Sequence, residues 1–185
     1  AALELSNTSH NDVFDVYYNT LYITGNSPSS HCLRNGYYSL GITSWNNIMV
    51  NEAYGNTLNR NYDTDYNCLY TNGKYLVLNQ TTLSDWHDVG HDSTISYKPV
   101  FLNDSILKPM NPRIDGKGTP IADIAEDING NPRNASTPDM GAYEFTPVTH
   151  PMSGTYTIGS SGADFEKFTH AVDSLIVNGV ADSVI

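Results

Sequence analysis

Basic side chains are scarce: 9 Lys and Arg stand against 20 Asp and Glu in 185 residues, a formal charge of −11. A surface of that sign does not displace counterions from nucleic-acid phosphates and offers no polybasic patch to anionic lipid. Neither nucleic acid nor a membrane surface is therefore an expected partner. Cysteine is scarcer still. Cys32 and Cys68 are too few for a disulfide framework and their spacing fits no zinc pattern, which leaves one bridge or two free thiols. No apolar run approaches the roughly 18 residues that span a bilayer, so membrane insertion is not expected. The N-terminus lacks the basic start and apolar core of a signal peptide. Charged residues total only 16%, below the roughly 25% usual in soluble domains, and this composition suits neither a helical bundle nor a disordered tail. The chain opens in mid-pattern at Ala1 and stops in the apolar run Val184-Ile185, so a mature or excised piece of a larger protein is expected.

What the chain has instead is asparagine, at 20 positions, and tyrosine, at 13. They recur in a pattern. Tyr18-Asn19-Thr20-Leu21-Tyr22-Ile23, Trp45-Asn46-Asn47-Ile48-Met49-Val50 and Tyr66-Asn67-Cys68-Leu69-Tyr70-Thr71 share aromatic, Asn, any residue, aliphatic, large, β-branched. Periods of 20 to 30 residues suit a solenoid that keeps one short strand of each coil in register while its turns vary in length. Alternation along the strand places Leu21 and Ile23, Ile48 and Val50, and Leu69 and Thr71 on the inner face. Asn19, Asn46 and Asn67 form the expected ladder, each amide satisfying the next. Gly25-Asn26-Ser27-Pro28, Asn35-Gly36 and Asn72-Gly73 supply turns.

Thr82 to Gly90 reads as a short helix with a Thr cap, an acidic residue three positions on and a Gly stop. A strand is expected over Ser96 to Leu102. Past a Pro-, Gly- and Asn-rich stretch the period changes: Phe165, Phe168, Val172, Leu175 and Ile176 mark an amphipathic helix with Asp164 as its N-cap and Asn178-Gly179 as its stop. The expected organisation is coils and cap over 1–145, a linker over 146–153, and over 154–185 the cap helix and first strand of a second module.

Asp127-Ile128-Asn129-Gly130-Asn131-Pro132-Arg133 followed by Asp139-Met140-Gly141-Ala142-Tyr143-Glu144-Phe145 resembles the closing motif of secreted bacterial right-handed parallel β-helix proteins. These belong to the pectate-lyase-like superfamily, choice-of-anchor type. Trp86, Gly90-His91-Asp92, Ser96 and Pro99-Val100-Phe101 are similar to the pattern that precedes that motif. The resemblance covers about residues 12–145. Gly154-Thr155-Tyr156-Thr157-Ile158-Gly159 with Ala163-Asp164-Phe165 resembles the start of β-helix modules in very large surface proteins of Bacteroidetes-type bacteria, where adjoining modules of one chain stand in tandem. The fold implied is all-β, a right-handed parallel β-helix with a C-terminal cap. The location implied is extracellular or at the cell surface. The superfamily holds lyases, hydrolases, epimerases and noncatalytic repeats, so fold alone does not assign an activity.

Four groups carry candidate chemistry. Asp63 and Asp65, two apart, are candidate calcium ligands, since calcium collects carboxylate oxygens; turn and cap residues are the competing reading. In polyuronide lyases that the chain resembles, calcium and a basic residue act together, and Arg60 lies nearby in sequence. His87 and His91 have zinc-like spacing, but Gly90 should end the helix between them and no glutamate supplies a base. Asp127-x-Asn129-Gly130-Asn131 resembles a calcium loop without its remaining ligands, and a tight turn with Arg133 paired to Asp127 or Glu144 fits better. On the expected outer face, Tyr22, Met49 and Tyr70 form a column whose rings could stack on alternate sugars of an extended glycan. Tyr18, Trp45 and Tyr66 read as a structural corner. The function expected is a noncatalytic extracellular scaffold or adhesin-like domain with capacity for polysaccharide. It requires no cofactor, and calcium is the candidate ion. The alternative is part of a polysaccharide lyase or glycoside hydrolase.

Overall fold

The computed structural model describes residues 1–5, 13–36, 41–60 and 63–185. The chain divides into two compact units, residues 1–98 with 116–144, and residues 99–115 with 145–185.

The first unit is built from nine strands: β1 (Leu3–Leu5), β2 (Val13–Tyr17), β3 (Thr20–Ile23), β4 (His31–Asn35), β5 (Gly41–Trp45), β6 (Ile48–Asn51), β7 (Asn56–Leu58), β8 (Asp63–Asp65) and β9 (Cys68–Thr71). They form three sheets in the orders β1-β4-β7, β2-β5-β8 and β3-β6-β9, and every pairing is parallel. The chain thus visits three sheets in turn and returns to each one strand further on. This is consistent with an all-β, solenoid-like fold. Apolar columns run through the interior: Leu3, Leu33 and Leu58 are in register in the first sheet, Phe14 and Ile42 in the second, and Leu21, Met49 and Leu69 in the third. Leu33, Met49, Leu58 and Leu69 are wholly buried.

The ladder differs from the expected one by a single position. Thr20 pairs with Ile48 and Ile48 with Cys68, so the rung between Asn19 and Asn67 is Asn47. Asn19 N donates to Asn47 Oδ1 (2.8 Å), and Asn47 N donates to Asn67 Oδ1 (2.8 Å). Asn47 Nδ2 reaches the carbonyls of Val16 (2.7 Å) and Trp45 (3.0 Å). Asn46 instead takes the left-handed corner position, φ 58°, in line with Tyr18 at 53° and Tyr66 at 52°. Asn tolerates that region better than most residues. A slip of one residue exchanges the faces of a strand. Met49 therefore points into the core beside Leu21 and Leu69, while Ile48 and Val50 take the opposite face.

The far end of the stack is closed by residues 74–98. Val77 bridges to Leu58 and Ile95 to Cys68, and helix α1 (Leu83–His87) sets the fully buried Trp86 into the core. Its capping box is complete: Asp85 N donates to Thr82 Oγ1 and Thr82 N to Asp85 Oδ2. The strand expected over 96–102 does not form; isolated bridges at Ile95, to Cys68, and at Phe101, to Pro109, take its place, and Pro99 has no N–H to extend a ladder. The segment 116–144 then covers the outer side of β3-β6-β9. Thr119 N donates to Asn46 Oδ1 (2.8 Å), and Gly141 N to Asn46 O (2.7 Å). Gly141 has φ +85°, and a Cβ there would stand 2.8 Å from both Ile48 Cδ1 and Thr20 Oγ1. Only glycine combines that backbone with that approach.

In the second unit, β10 (Met152–Gly154) pairs in parallel with β11 (Val180–Val184). Residues 152 and 153, expected in the linker, thus belong to a strand. Helix α2 runs over Phe168–Asn178 and buries Ala171 and Val177, whereas Phe168 is 70% exposed. Lys167 occupies the N-cap position without a side-chain bond. Asp164, the expected cap, accepts both the backbone N–H and the hydroxyl of Thr157 at 2.8 Å, and Phe165 bridges to Ile158 ahead of the helix.

Candidate functional site

The outer face of β2-β5-β8 brings carboxylates and aromatic side chains into adjoining rows. Phe14 and Val16 pack against the core, so alternation turns Asp15 and Tyr17 outward. Register places Thr43 beside Asp15 and Asp63 beside Thr43, one row of the face, and Trp45 beside Tyr17 and Asp65 beside Trp45, the next. Asp15 and Asp63 are exposed; Tyr17, Thr43, Trp45 and Asp65 are half-buried. Each strand spacing is about 4.8 Å, which puts Asp15 and Asp63 about 10 Å apart along the stack.

Local bonds fix several of these groups. Tyr17 donates its hydroxyl proton to Asp15 Oδ1 (3.0 Å). Burial raises the Tyr17 pKa, reinforced by the bond to Asp15 and its charge; a bond from Thr43 opposes these effects, and the charge of Asp63 adds to them. The Trp45 ring lies 6.1 Å from that of Tyr66, tilted by 48°. Asp65 Oδ1 accepts the Ser93 N–H (3.0 Å) and the Thr94 hydroxyl (3.2 Å), tying this row to the closing segment. No cation pairs with Asp15, Asp63 or Asp65 among the described residues.

The expected calcium pair, Asp63 and Asp65, does share one face of β8, with Thr64 turned inward to bond Ser44 O (2.8 Å). Calcium takes six to eight oxygens, and no group of three or more His, Cys, Asp or Glu able to hold an ion occurs among the described residues. His87 and His91 are separately committed: His87 Nε2 lies 2.8 Å from Thr94 O, and the His91 ring stacks on Trp86 at 4.0 Å. Both thiols are free and buried. Burial pushes Cys68 up to about 12 and Cys32 higher still.

The expected glycan column is only partly assembled. Tyr22, Val50 and Tyr70 are in register on the outer side of β3-β6-β9, with Val50 buried between the two half-buried rings. The Tyr22 hydroxyl bonds Glu52 Oε2 (2.8 Å) and that of Tyr70 bonds Asn72 Oδ1 (3.3 Å). Met49 is absent from that column for the reason of register given above. Of the corner residues, Tyr18 is structural: it is buried beneath the Arg133 guanidinium, 3.8 Å from its ring centroid, and bonds Thr119 O. Trp45 lies one register position earlier, on the second sheet, where it is half-buried. Asp15, Tyr17 and Thr43 were not singled out by sequence, although the alternation in Val13-Phe14-Asp15-Val16-Tyr17 carries the signal.

The closing motif is an interlocked turn. Asp127 Oδ1 accepts the N–H groups of Asn129 and Asn131, and Oδ2 that of Glu144. Arg133 donates to the carbonyls of Glu126, Asp139 and Gly141 and pairs with Glu144 at 3.7 Å. Its donors are spent on the backbone, which makes this a clasp. Among the described residues no helix is long and apolar enough to cross a membrane. No family model, curated protein or solved structure matches the chain.

Proposed function

We propose that the chain is part of a noncatalytic extracellular right-handed parallel β-helix protein of the pectate-lyase-like superfamily, scaffold or adhesin-like, which binds extracellular polysaccharide on the outer face of β2-β5-β8. The observation that carries this reading is the pair of adjacent rows on that face, one of Asp15, Thr43 and Asp63, the other of Tyr17, Trp45 and Asp65. Rings supply flat amphipathic surfaces and carboxylates supply hydroxyl acceptors, a combination suited to sugars. Parallel strands joined by crossovers are right-handed in about 98% of cases, which favours that hand for the stack. Residues 154–185 are read as the opening of a second module of the same chain. No cofactor is required, and calcium at Asp63 and Asp65 is the one ion the reading admits.

The test is titration of the protein with extended soluble glycans, with calcium and with a chelator. The expected result is binding that survives the chelator, weakens at least about tenfold in Tyr17→Ala, the loss of roughly one good contact, and is unchanged in Tyr22→Ala/Tyr70→Ala. Retained affinity in Tyr17→Ala together with loss in the Tyr22/Tyr70 variant would move the site to the third sheet. An unchanged urea midpoint in each variant separates lost contacts from lost fold.

A further inference from the structure

The triplet Asn-x-Ser/Thr, with x other than Pro, is an acceptor of N-linked glycan when it lies on a surface loop of an exported chain. The sequence holds four: Asn7-Thr8-Ser9, Asn79-Gln80-Thr81, Asn103-Asp104-Ser105 and Asn134-Ala135-Ser136. With 34 Ser and Thr in 185 residues, about four such triplets arise among 20 Asn from composition alone, so the motif selects nothing by itself. Local geometry does select. The first triplet lies outside the described residues; the other three differ in which of their groups are free.

Asn134 and Asn103 are alike. Asn134 Oδ1 accepts the N–H groups of Ser136 (2.9 Å) and Thr137 (3.1 Å), and Asn103 Oδ1 accepts those of Ser105 (2.9 Å) and Ile106 (2.8 Å). With the amide oxygen turned back onto its own loop, the amide nitrogen points away from it. Nδ2 of each Asn, and the Ser hydroxyl two positions on, have no partner among the described residues, and all four residues are exposed. Asn103 stands at the tip of a short hairpin closed by the bridge between Phe101 and Pro109. Asn134 is held in place through its own N–H, which donates to Glu144 Oε1 (2.9 Å). Asn79 is also exposed, but it lies inside a tight turn in which Val77 N donates to Gln80 O and Gln80 N to Val77 O, with φ 65°. Asp85 Oδ2 takes both the N–H (3.1 Å) and the hydroxyl (2.9 Å) of Thr81.

We infer that Asn134 and Asn103 are acceptor sites for N-linked glycan and that Asn79 is not, an inference that rests on the extracellular reading above, because the transferases that form this link act on exported chains. In the transfer, Nδ2 attacks C1 of an oligosaccharide carried on a lipid diphosphate. The Nδ2–C1 bond forms and the C1–O bond to the diphosphate breaks, its electron pair leaving with the lipid diphosphate. One Nδ2 proton passes to a base of the transferase. An amide nitrogen is a weak nucleophile, so the transferase must grip the whole triplet, hydroxyl included. The loops at Asn134 and Asn103 present that triplet unengaged, whereas Asn79 offers it only after Thr81 leaves Asp85.

The folded chain is incubated with a purified single-subunit oligosaccharyl transferase that reads Asn-x-Ser/Thr and with a lipid diphosphate-linked oligosaccharide. Peptides spanning residues 76–82, 100–106 and 131–137 carry the same triplets without the fold. Intact mass and peptide mapping give the rate at each Asn. Asn134 and Asn103 are expected to react in the chain as fast as in their peptides. Asn79 is expected to react at least about tenfold slower in the chain than in its peptide, the worth of one charge-assisted hydrogen bond that must be broken. Asn134→Gln and Asn103→Gln each remove one glycan from the product. Silence of Asn134 and Asn103 in the folded chain would overturn the assignment, as would an Asn79 that reacts in the chain as fast as in its peptide. This reaction needs no export, so its failure leaves the extracellular reading standing. A chain confined to the interior of its source cells would overturn that reading, and with it modification in the cell, whatever the purified reaction gives.

Discussion

At the scale of single residues, Asn47 holds the ladder together. Its amide takes the Asn19 N–H and donates to Val16 O and Trp45 O from a wholly buried position. Each buried polar group left without a partner costs about 1–3 kcal/mol, so Asn47→Ala is expected to destabilise the chain by about 3 kcal/mol or more, read from the urea midpoint. Gly141 is the second such position. Gly141→Ala combines a left-handed backbone with a clash at Ile48 and Thr20 and is expected to cost about 2–4 kcal/mol; Gly90→Ala, at φ +97° with open space around its Cβ, should cost only the backbone part, about 1–2 kcal/mol. Residue types alone point to Asn19 and Asn67, which bond Asn47 on the ladder, but misplace the middle rung. Trp45-Asn46 imitates Tyr18-Asn19 and Tyr66-Asn67, and the aromatic match outweighed a better physical cue. Of the two consecutive asparagines, the first suits the left-handed corner that Tyr18 and Tyr66 fill less readily, which leaves the second for the ladder.

At the scale of elements, local signals read well and long-range ones poorly. The capping box of α1 was legible because Thr82 and Asp85 act over three residues, and Thr82→Ala is expected to cost about 1 kcal/mol, seen as faster exchange of α1 amides. The α2 cap was misread because Thr157, seven residues upstream of Asp164, competes for its carboxylate. No spacing rule within a helix contains that contact. The closing turn makes a pH prediction. Burial pushes the Asp127 pKa up, but bonds from Asn131, Glu144 and Asn129 together hold it below the ordinary value. The folded chain therefore binds this proton less readily than the unfolded one. The stabilisation is complete above about pH 4, the usual Asp value, and is lost as pH falls through the lower folded value. Urea midpoints measured against pH should fall less steeply below about pH 4 in Asp127→Asn than in the parent, because that variant lacks the contribution throughout.

At the scale of the whole molecule, periodic Asn and Tyr made a strand-rich architecture of parallel sheets legible, since a repeat kept in register pairs each strand with its counterpart. The candidate face was not legible to the same degree. Which residues face outward depends on register, and one position of slip moved Met49 from the surface to the core and left the second sheet unconsidered. The interior assignment also predicts that Cys32 and Cys68, both buried with raised pKa values, stay inert to a thiol reagent in the native state and react together once unfolded. The most direct measurement of the register is the urea unfolding of Met49→Asp. With Met49 facing the core, a carboxylate there is buried without a partner, and the cooperative transition is expected to collapse or to shift by at least about 3 kcal/mol. A transition within about 0.5 kcal/mol of the parent, as for an ordinary surface substitution, would contradict the register and with it the placement of the glycan face.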